Sequence, residues 1–410
     1  MPGPVQKLLT GIDRFGGIPG YSVDDWNSAV VSMFGPYVRR RSVLRRRREL
    51  LRSELINLAK IQAAPNGPAL LSTLVRAYRR AIYVDRDASL GFLVDHFVDM
   101  GRSDQNWITL AVTHEPLSCA YGLTERAVQK FAILDTVLEG CYKQHAVIAV
   151  GFGEWKRGKS IPADIGTRDF GNVLSLLVPA YGRCAERLVR DPFYGIEFNQ
   201  WRNVAAHKSF RVVTRSTIEL VYGRRRQVKR ITYAALERVL RSAVEALSIV
   251  RMASTLVYIE FMPDLCAIGL PRPTIALESQ MVGLCHNLFV VGFKCLHYGG
   301  EGKSFVLELE DRLDREPLES VIHASQILDQ IGVALEFDPT RSSRYTTVAI
   351  RVLDQTGVYA GGASISLDDV LAAAKGALSQ KERLARTTFD FADRIRLRRA
   401  LEMSRRGFSV

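Results

Sequence analysis

The stretch QWRNVAAHK, residues 200–208, carries side chains that could act on a phosphate. On a helix, Asn203 and His207 are four residues apart and project from one face, and Arg202 lies about 100° round from Asn203. Arginine can bind a phosphate with two hydrogen bonds and stabilise charge on pentavalent phosphorus. Histidine titrates near neutrality and can move a proton at an RNA 2′-hydroxyl. By itself the string is more typical of an ordinary polar helix end. The elements around it decide whether a reaction centre is the better interpretation.

The elements predicted around this stretch form a helical bundle with a β insertion. Residues 124–150 predict a helix because five apolar residues recur along one stripe. Residues 172–191 predict a second helix after their proline, with Tyr181, Cys184 and Leu188 on one face. The stretch itself predicts a short helix, residues 209–232 a β-hairpin with its turn near Gly223, and Thr232 the cap of a long helix. The stripe consists of Ala127, Phe131, Leu134, Leu138 and Cys141.

An Arg-Asn-x-x-x-His string just before the last long helix of a bundle resembles the signature of HEPN domains. The resemblance covers about residues 123–258. It implies a four- or five-helix bundle that usually dimerises, and many such domains are metal-independent endoribonucleases of toxin–antitoxin, antiphage and CRISPR-type defence systems. Carried over, Arg202 and His207 are catalytic, Asn203 is the polar residue beside the arginine, and attack by the 2′-hydroxyl leaves a cyclic phosphate. The hairpin departs from the family pattern and is interpreted as an insertion.

Some HEPN domains only bind nucleotides or partners, so the fold alone does not imply catalysis. A non-catalytic nucleic-acid-binding or partner-binding protein is therefore the alternative hypothesis. The resemblance also leads us to expect a homodimer or higher homo-oligomer. Whether a further partner inhibits or activates the enzyme is left open.

The net charge of +13 is unevenly distributed. Residues 1–60 hold 11 Lys and Arg against 5 Asp and Glu, and residues 123–260 hold 22 against 13. Two basic blocks favour a polyanionic partner, most simply RNA. The predicted nucleic-acid contacts are Lys208, Arg224, Arg225, Arg226, Lys229 and Arg230 near the motif, and Arg45, Arg46, Arg47 and Arg48 in the N-terminal arginine tract.

A competing motif lies upstream, where residues 153–160 fit the P-loop pattern G-x-x-x-x-G-K-[ST]. Its phosphate-cradling candidates are Gly153, Gly158, Lys159 and Ser160. A P-loop needs a helix that opens at Lys-Ser, and here a proline follows two residues later with no amphipathic helix for another ten. The apolar segment AVIAV also fits the end of the preceding helix. A P-loop NTPase is accordingly the weaker hypothesis, and we expect a charged loop over the RNA cleft.

The predicted fold class is α+β, in three parts. Residues 1–122 form an Arg-rich helical region, residues 123–260 the HEPN-like bundle, and residues 261–410 a mixed α/β domain with a regulatory or sensing role. In the last part FVLELED, VALEFD, YTTVAIRVLD and VYAGGASISL are strand-like, and helices are predicted near residues 316–331 and 367–403.

Composition predicts a cytoplasmic protein without a metal or cofactor. No run approaches the 18 to 20 or so apolar residues of a membrane helix, and the N-terminal residues lack the apolar core of a secretory signal. The six cysteines are scattered, which predicts reduced and mostly buried thiols. Cys285-His286 and Cys295-x-His297 fit no structural zinc spacing, and their strand-like segment, residues 284–300, favours core packing.

Overall fold

Helices predominate and two sheets complete an α+β protein, as the sequence predicts. Residues 23–273 form one compact unit, and a second unit begins at residue 274. The predicted boundary between residues 122 and 123 thus falls inside the first unit. The computed structural model describes residues 23–46, 51, 54–113, 121–162, 164–271, 277–336, 344–374 and 377–391.

The first unit is a bundle whose helices and strands are numbered in chain order. A π-helical segment, Thr136–Tyr142, joins two of the helices without a break. Its labelled elements are α1 (Val23–Phe34), α2 (Arg41–Arg46), α3 (Leu55–Ala63), α4 (Gly67–Val84), α5 (Arg86–Thr113), α6 (Leu123–Asp135), α7 (Lys143–Lys156), α8 (Phe170–Ser175), α9 (Leu177–Tyr181), α10 (Glu186–Val189), α11 (Phe198–Ala206), β1 (Phe210–Val212), β2 (Thr217–Tyr222), β3 (Gln227–Thr232) and α12 (Tyr233–Ala267).

Helix α12 is the central element of this unit. The Thr232 hydroxyl accepts the backbone N–H of Ala235, so the predicted cap is confirmed. The helix continues past residue 260, where the sequence predicted a domain boundary, to Ala267. Among the described residues it is the one helix long and apolar enough to cross a membrane, contrary to the expectation from sequence, but 72% of its most apolar window is buried. That burial is typical of the core helix of a globular bundle.

A buried ionic cluster ties the N-terminal helices to the predicted bundle. The Arg251 guanidinium, on α12, donates to both carboxylate oxygens of Glu54 at 2.8 and 2.5 Å and to Asp104 Oδ1 at 2.6 Å. Arg79 donates to the fully buried Glu260 Oε2 at 3.0 and 2.7 Å. Since a buried charge must be paired, these contacts hold α4, α5 and α12 in one core.

The predicted hairpin is confirmed as part of a three-stranded antiparallel sheet. Strands β2 and β3 pair from Thr217↔Thr232 to Tyr222↔Gln227, and the turn lies at residues 223–226 as expected. Strand β1 pairs with the other side of β2. The ring of Phe131 on α6 stacks on Phe210 at 4.1 Å, which anchors β1 to the bundle.

The helix predicted after Pro179, within residues 172–191, is wrong in one respect. It is interrupted after α9 by Gly182, which has a φ of +80°, and a short 3₁₀ turn and α10 follow. Tyr181 and Leu188 are buried as predicted, whereas Cys184 is exposed. The single apolar face was therefore a misreading of two short helices.

The second unit has a five-stranded sheet in the order β4-β5-β6-β7-β8, with β5 and β6 parallel and the other pairs antiparallel. Its core includes Phe305, Leu307, Val348 and Ile350. The elements are α13 (Leu277–Val290), β4 (Phe293–Glu301), β5 (Ser304–Asp311), α14 (Pro317–Ser325), α15 (Leu328–Glu336), β6 (Thr347–Leu353), β7 (Tyr359–Ser366), α16 (Leu367–Ala374), α17 (Gln380–Arg386) and β8 (Thr388–Phe391).

Two strand predictions in this unit are wrong. VALEFD begins inside helix α15, and the first half of the segment 284–300 is helix α13. In both cases a short apolar run has the composition of a strand, but its flanking apolar residues complete a helical stripe. For α15 the buried stripe is Leu328, Ile331, Leu335 and their neighbour Ala334.

Candidate active site

Helix α11 carries the motif and is fixed at its start by a buried carboxylate. Trp201 is completely buried, and its Nε1–H donates to Asp191 Oδ2 at 2.8 Å. The same carboxylate accepts the backbone N–H groups of Phe193, Tyr194 and Ile196 at 2.7 to 3.0 Å. Four donors on one buried carboxylate hold the 191–197 turn against α11 and set where the helix begins.

The far end of α11 presents His207 to solvent. His207 is the C-cap residue, and Lys208 follows with a φ of +51°. The N–H of Lys208 bonds to the carbonyl of Ala205, and the N–H of Ser209 bonds to that of Val204, which together form a Schellman motif. His207 and Lys208 are both exposed, so the imidazole stands at an open helix end beside a fixed cation.

Arg202 projects toward the junction of α6 and the π-helical segment. Its Nε lies 3.3 Å from Glu139 Oε2 and 3.9 Å from Asp135 Oδ1, and its Nη1 lies 3.3 Å from Asn203 Oδ1. The contacts to the two carboxylates are ion pairs without good hydrogen-bond geometry. The guanidinium keeps 32% of its side-chain surface exposed. Arg202 is therefore positioned by charge but is not enclosed.

Asp135 and Glu139 form a polar cluster with Arg202. Burial raises the pKa of Asp135, and the negative charge of Glu139 adds to this, while Arg202 and His207 act in the opposite direction. Lys143 Nζ lies 3.1 Å from Glu139 Oε1. Single-turn π-helical segments are rare and are often found at functional sites.

The basic turn of the hairpin lies against the same helix. The Gln200 side-chain oxygen, on α11, accepts the backbone N–H of Gly223 at 3.0 Å, and the N–H of Val221 bonds to the carbonyl of Ser209. The turn residues Arg224, Arg225 and Arg226 are exposed. Within the described part of the chain, their guanidinium groups make no ion pair. The turn therefore brings three exposed cations near the first turn of α11, and their contact with nucleic acid stays a prediction.

Two of the predicted contact residues are already paired. Arg230 Nε donates to Glu219 Oε2 at 3.0 Å, and Lys229 Nζ lies 5.2 Å from the centre of the Tyr194 ring. Hydrogen bonds from Arg211 and Arg230 lower the pKa of Glu219, which keeps it charged between them. Arg230 therefore stabilises the sheet, and Lys229 contacts the 191–197 turn. Both side chains have a partner within the protein without any ligand.

The N-terminal arginine tract is only partly described. Arg45 and Arg46 lie in the last turn of α2 and are exposed. The predicted contacts Arg47 and Arg48 lie outside the described residues. The tract remains a prediction as a nucleic-acid surface.

The P-loop interpretation is wrong, because residues 153–160 surround the end of a helix rather than its start. Gly153 lies inside α7, where a Cβ would meet the Cβ of Ala180 at 2.6 Å, so it is a packing glycine. Gly158 has a φ of +76° and ends α7 in a second Schellman motif. Lys159 Nζ lies 3.1 Å from Glu154 Oε2, and no helix opens at Ser160. AVIAV, residues 146–150, lies inside α7 and not in a strand before a phosphate loop.

No group of three or more His, Cys, Asp or Glu side chains in the described residues is arranged to hold a metal ion. Cys285 and Cys295 are free thiols, partly buried at the junction of α13 and β4. No protein-family model, curated protein or solved structure matches this chain. The case for a function therefore depends on the geometry of the cluster around α11.

Asp135 and Glu139 are the residues of this site that the sequence reading missed. They are four residues apart on one continuous helical segment, and two like charges at that spacing disfavour a helix unless a cation lies between or beside them. That spacing was the available signal. The apolar stripe of the same segment predicts a helix by itself, so the spacing of the two carboxylates does not stand out.

Proposed function

We propose that the protein is a metal-independent endoribonuclease of the HEPN type that acts as a toxin or antiphage effector in the cytoplasm. The observation that carries the proposal is that one short helix holds a half-exposed Arg202 in its middle and an exposed His207 at its C-terminal end. The arginine turn at residues 224–226 contacts the first turn of the same helix, through Gly223 and Gln200. A phosphate bound there would meet a half-exposed guanidinium and an exposed imidazole on one surface.

In the proposed reaction, the 2′-hydroxyl oxygen attacks the adjacent phosphorus while a histidine removes its proton. The bond from phosphorus to the 5′-oxygen breaks, and a second histidine returns a proton to that leaving group. The products are a 2′,3′-cyclic phosphate and a 5′-hydroxyl. Arg202 stabilises the charge on the phosphoryl oxygens, and Asn203 orients Arg202 through its side-chain oxygen.

The same chemistry favours a working site made from two chains. One chain supplies a single His207, whereas the reaction needs an acid and a base. A homodimer with two α11 ends in one cleft would provide both. The Arg224–Arg226 turns of the two chains would then bind the RNA backbone on either side.

A non-catalytic RNA-binding role has one observation in its favour. Asp135 and Glu139 lie beside Arg202 and share its charge, which weakens its attraction for a phosphate. In that case binding depends on the arginine turn and not on His207. A non-catalytic role predicts salt-sensitive RNA binding without cleavage. The triple variant Arg224→Ala/Arg225→Ala/Arg226→Ala would lose this binding, and His207→Ala would keep it.

The test is expression of the wild type and of single variants in cells, with total RNA examined for cleavage. Arg202→Ala and His207→Ala are expected to abolish cleavage and toxicity. His297→Ala is the matched control, because His297 is an exposed histidine of the second unit and lies outside the cluster. Melting temperatures of the purified variants separate loss of chemistry from loss of fold. Cleavage that persists in His207→Ala would refute the proposal.

A further inference from the structure

The C-terminal end of α7 carries a pocket that the proposed reaction does not use. Its volume is about 470 Å³, within the range of small-molecule sites. Trp155 lies roughly 24 Å along the helix from Glu139, given a rise of about 1.5 Å per residue. The pocket is therefore separate from the cluster around Arg202. Its lining residues are Arg80, Asp85, Trp155, Lys156, Gly158, Lys159 and Ser160.

The pocket has more positive than negative charge, since three cations face one carboxylate. The carboxylate, Asp85, is directed to the first turn of α5, where it accepts the N–H of Ala88 at 3.4 Å. The Lys156 ammonium donates to the carbonyl of Ala180 at 3.1 Å and lies 5.3 Å from the centre of the Tyr181 ring. Lys156 is thus occupied within the fold.

Arg80 and Lys159 are the cations with donors left for a ligand, although Lys159 is already paired with Glu154. Arg80 is exposed, and no described residue forms an ion pair with it. Lys159 shares the carboxylate of Glu154 with Arg157, whose Nη1 is 2.6 Å from Oε1. Burial raises the pKa of Glu154, but the hydrogen bonds from Arg157 and Lys159 outweigh it and keep the group charged. The single negative charge of Glu154 faces the two positive charges of Arg157 and Lys159, so the net local charge is positive and can attract an anion.

Trp155 adds an aromatic surface to these cations. Its side chain is half-buried, so one part is fixed by the bundle and another part faces the pocket. At Gly158 nothing lies within 4 Å of where a Cβ would stand, so the backbone there is open to a close approach. Aromatic rings in this setting stack on nucleobases, and arginine and lysine bind phosphate.

We infer that this pocket binds a nucleoside phosphate, with the base against Trp155 and the phosphate between Arg80 and Lys159. This arrangement differs from a P-loop because side chains replace the amides of a helix N-terminus. Asp85, the carboxylate of the lining, is engaged with the first turn of α5, so binding without turnover is expected. The nucleoside phosphate is either a free nucleotide or a segment of an RNA chain.

The test is calorimetric titration of the full-length protein with AMP, GMP, adenosine, inorganic phosphate and a 2′-O-methyl RNA oligonucleotide that cannot be cleaved. We expect AMP or GMP to bind, and Arg80→Ala/Lys159→Ala to weaken that binding about tenfold or more, as the loss of charged hydrogen bonds implies. Trp155→Ala should weaken nucleotide binding more than phosphate binding.

Arg76→Ala is the matched control, since Arg76 is exposed one turn earlier on the same helix and does not line the pocket. Binding of the oligonucleotide alone, with the same sensitivity to Arg80 and Lys159, would support the inference and identify an RNA segment as the ligand. Binding of none of these compounds, or binding that the double variant leaves intact, would overturn it. His207→Ala should bind as the wild type does, so this result is independent of RNA cleavage.

Discussion

Two arginines of the first unit each face two carboxylates, and the two clusters differ in geometry and exposure. Arg251 makes three hydrogen bonds of 2.5 to 2.8 Å to Glu54 and Asp104, and 9% of its side chain is exposed. Arg202 lies 3.3 and 3.9 Å from Glu139 and Asp135, and 32% of its side chain is exposed. The first cluster satisfies its charges internally, and the second leaves donors available.

The difference separates a structural ion cluster from a candidate reaction centre with the same residue types. A buried pair is fixed by the penalty of leaving a charge unpaired. A half-exposed pair contributes little to stability, so its arginine can exchange carboxylates for a phosphate at small cost. Three substitutions test this contrast and a fourth tests the helix end that carries His207, in order from the largest expected effect on stability to the smallest.

Arg251→Met should have the largest effect, because it leaves the carboxylate of Glu54 buried without its cation. We expect the free energy of unfolding to fall by about 3–5 kcal/mol in urea titrations. Arg102→Met is the control, since its pair with Asp99 is largely exposed and is expected to matter by about 0.5 kcal/mol or less. A similar decrease in the free energy of unfolding in both variants would contradict the distinction between buried and exposed ion pairs.

Lys208→Gly should stabilise the protein by up to about 1 kcal/mol, because Lys208 has a φ of +51° at a position that favours glycine. Gly158 occupies the equivalent position at the end of α7. Thermal unfolding measures the gain. If RNA binding weakens while stability rises, the lysine is kept for its charge. A drop in stability would mean that the lysine side chain makes contacts that outweigh the backbone strain.

Arg202→Met should change the free energy of unfolding by less than about 1 kcal/mol, because the pair is partly solvated. The same variant is expected to lose RNA cleavage. Urea titration and a cleavage assay on one preparation provide both measurements. A loss of several kcal/mol would place Arg202 with Arg251 among the structural arginines.

Asp135→Asn should have the smallest effect, and its effect should depend on pH. Burial raises the pKa of Asp135 in the folded state above its unfolded value. Protonated Asp135 therefore stabilises the folded state below the ordinary aspartate pKa of about 4. This contribution to the free energy of unfolding is lost as pH rises through the pKa of the folded state. Asparagine cannot ionise, so the variant should melt slightly higher than the wild type at pH 7 and equally at pH 3. A lower melting temperature at pH 7 would show that the pair with Arg202 outweighs burial.

The sequence predicted the elements that depend on local signals. The Thr232 cap, the turn at Gly223 and the short helix of the motif are all present. Each depends on residues a few positions apart, where propensity and hydrogen bonding act directly. VALEFD shows the limit, because six apolar-rich residues fit a strand or a helix until their longer context is read.

The long-range part of the fold was not accessible from the sequence. Arg251 and Glu54 are 197 residues apart, and no local pattern indicates that they pair. The same holds for Arg202 and Glu139. The motif residues could be chosen from a single stretch, whereas their carboxylate partners and the pocket at α7 required the packing of several helices.

The most direct test of the central claim is to identify the RNA ends produced by purified protein in EDTA. We expect a 2′,3′-cyclic phosphate and a 5′-hydroxyl with the wild type and with His297→Ala, and no product with His207→Ala. Products with a 5′-phosphate, cleavage that stops when EDTA is added, or full cleavage by His207→Ala would contradict it.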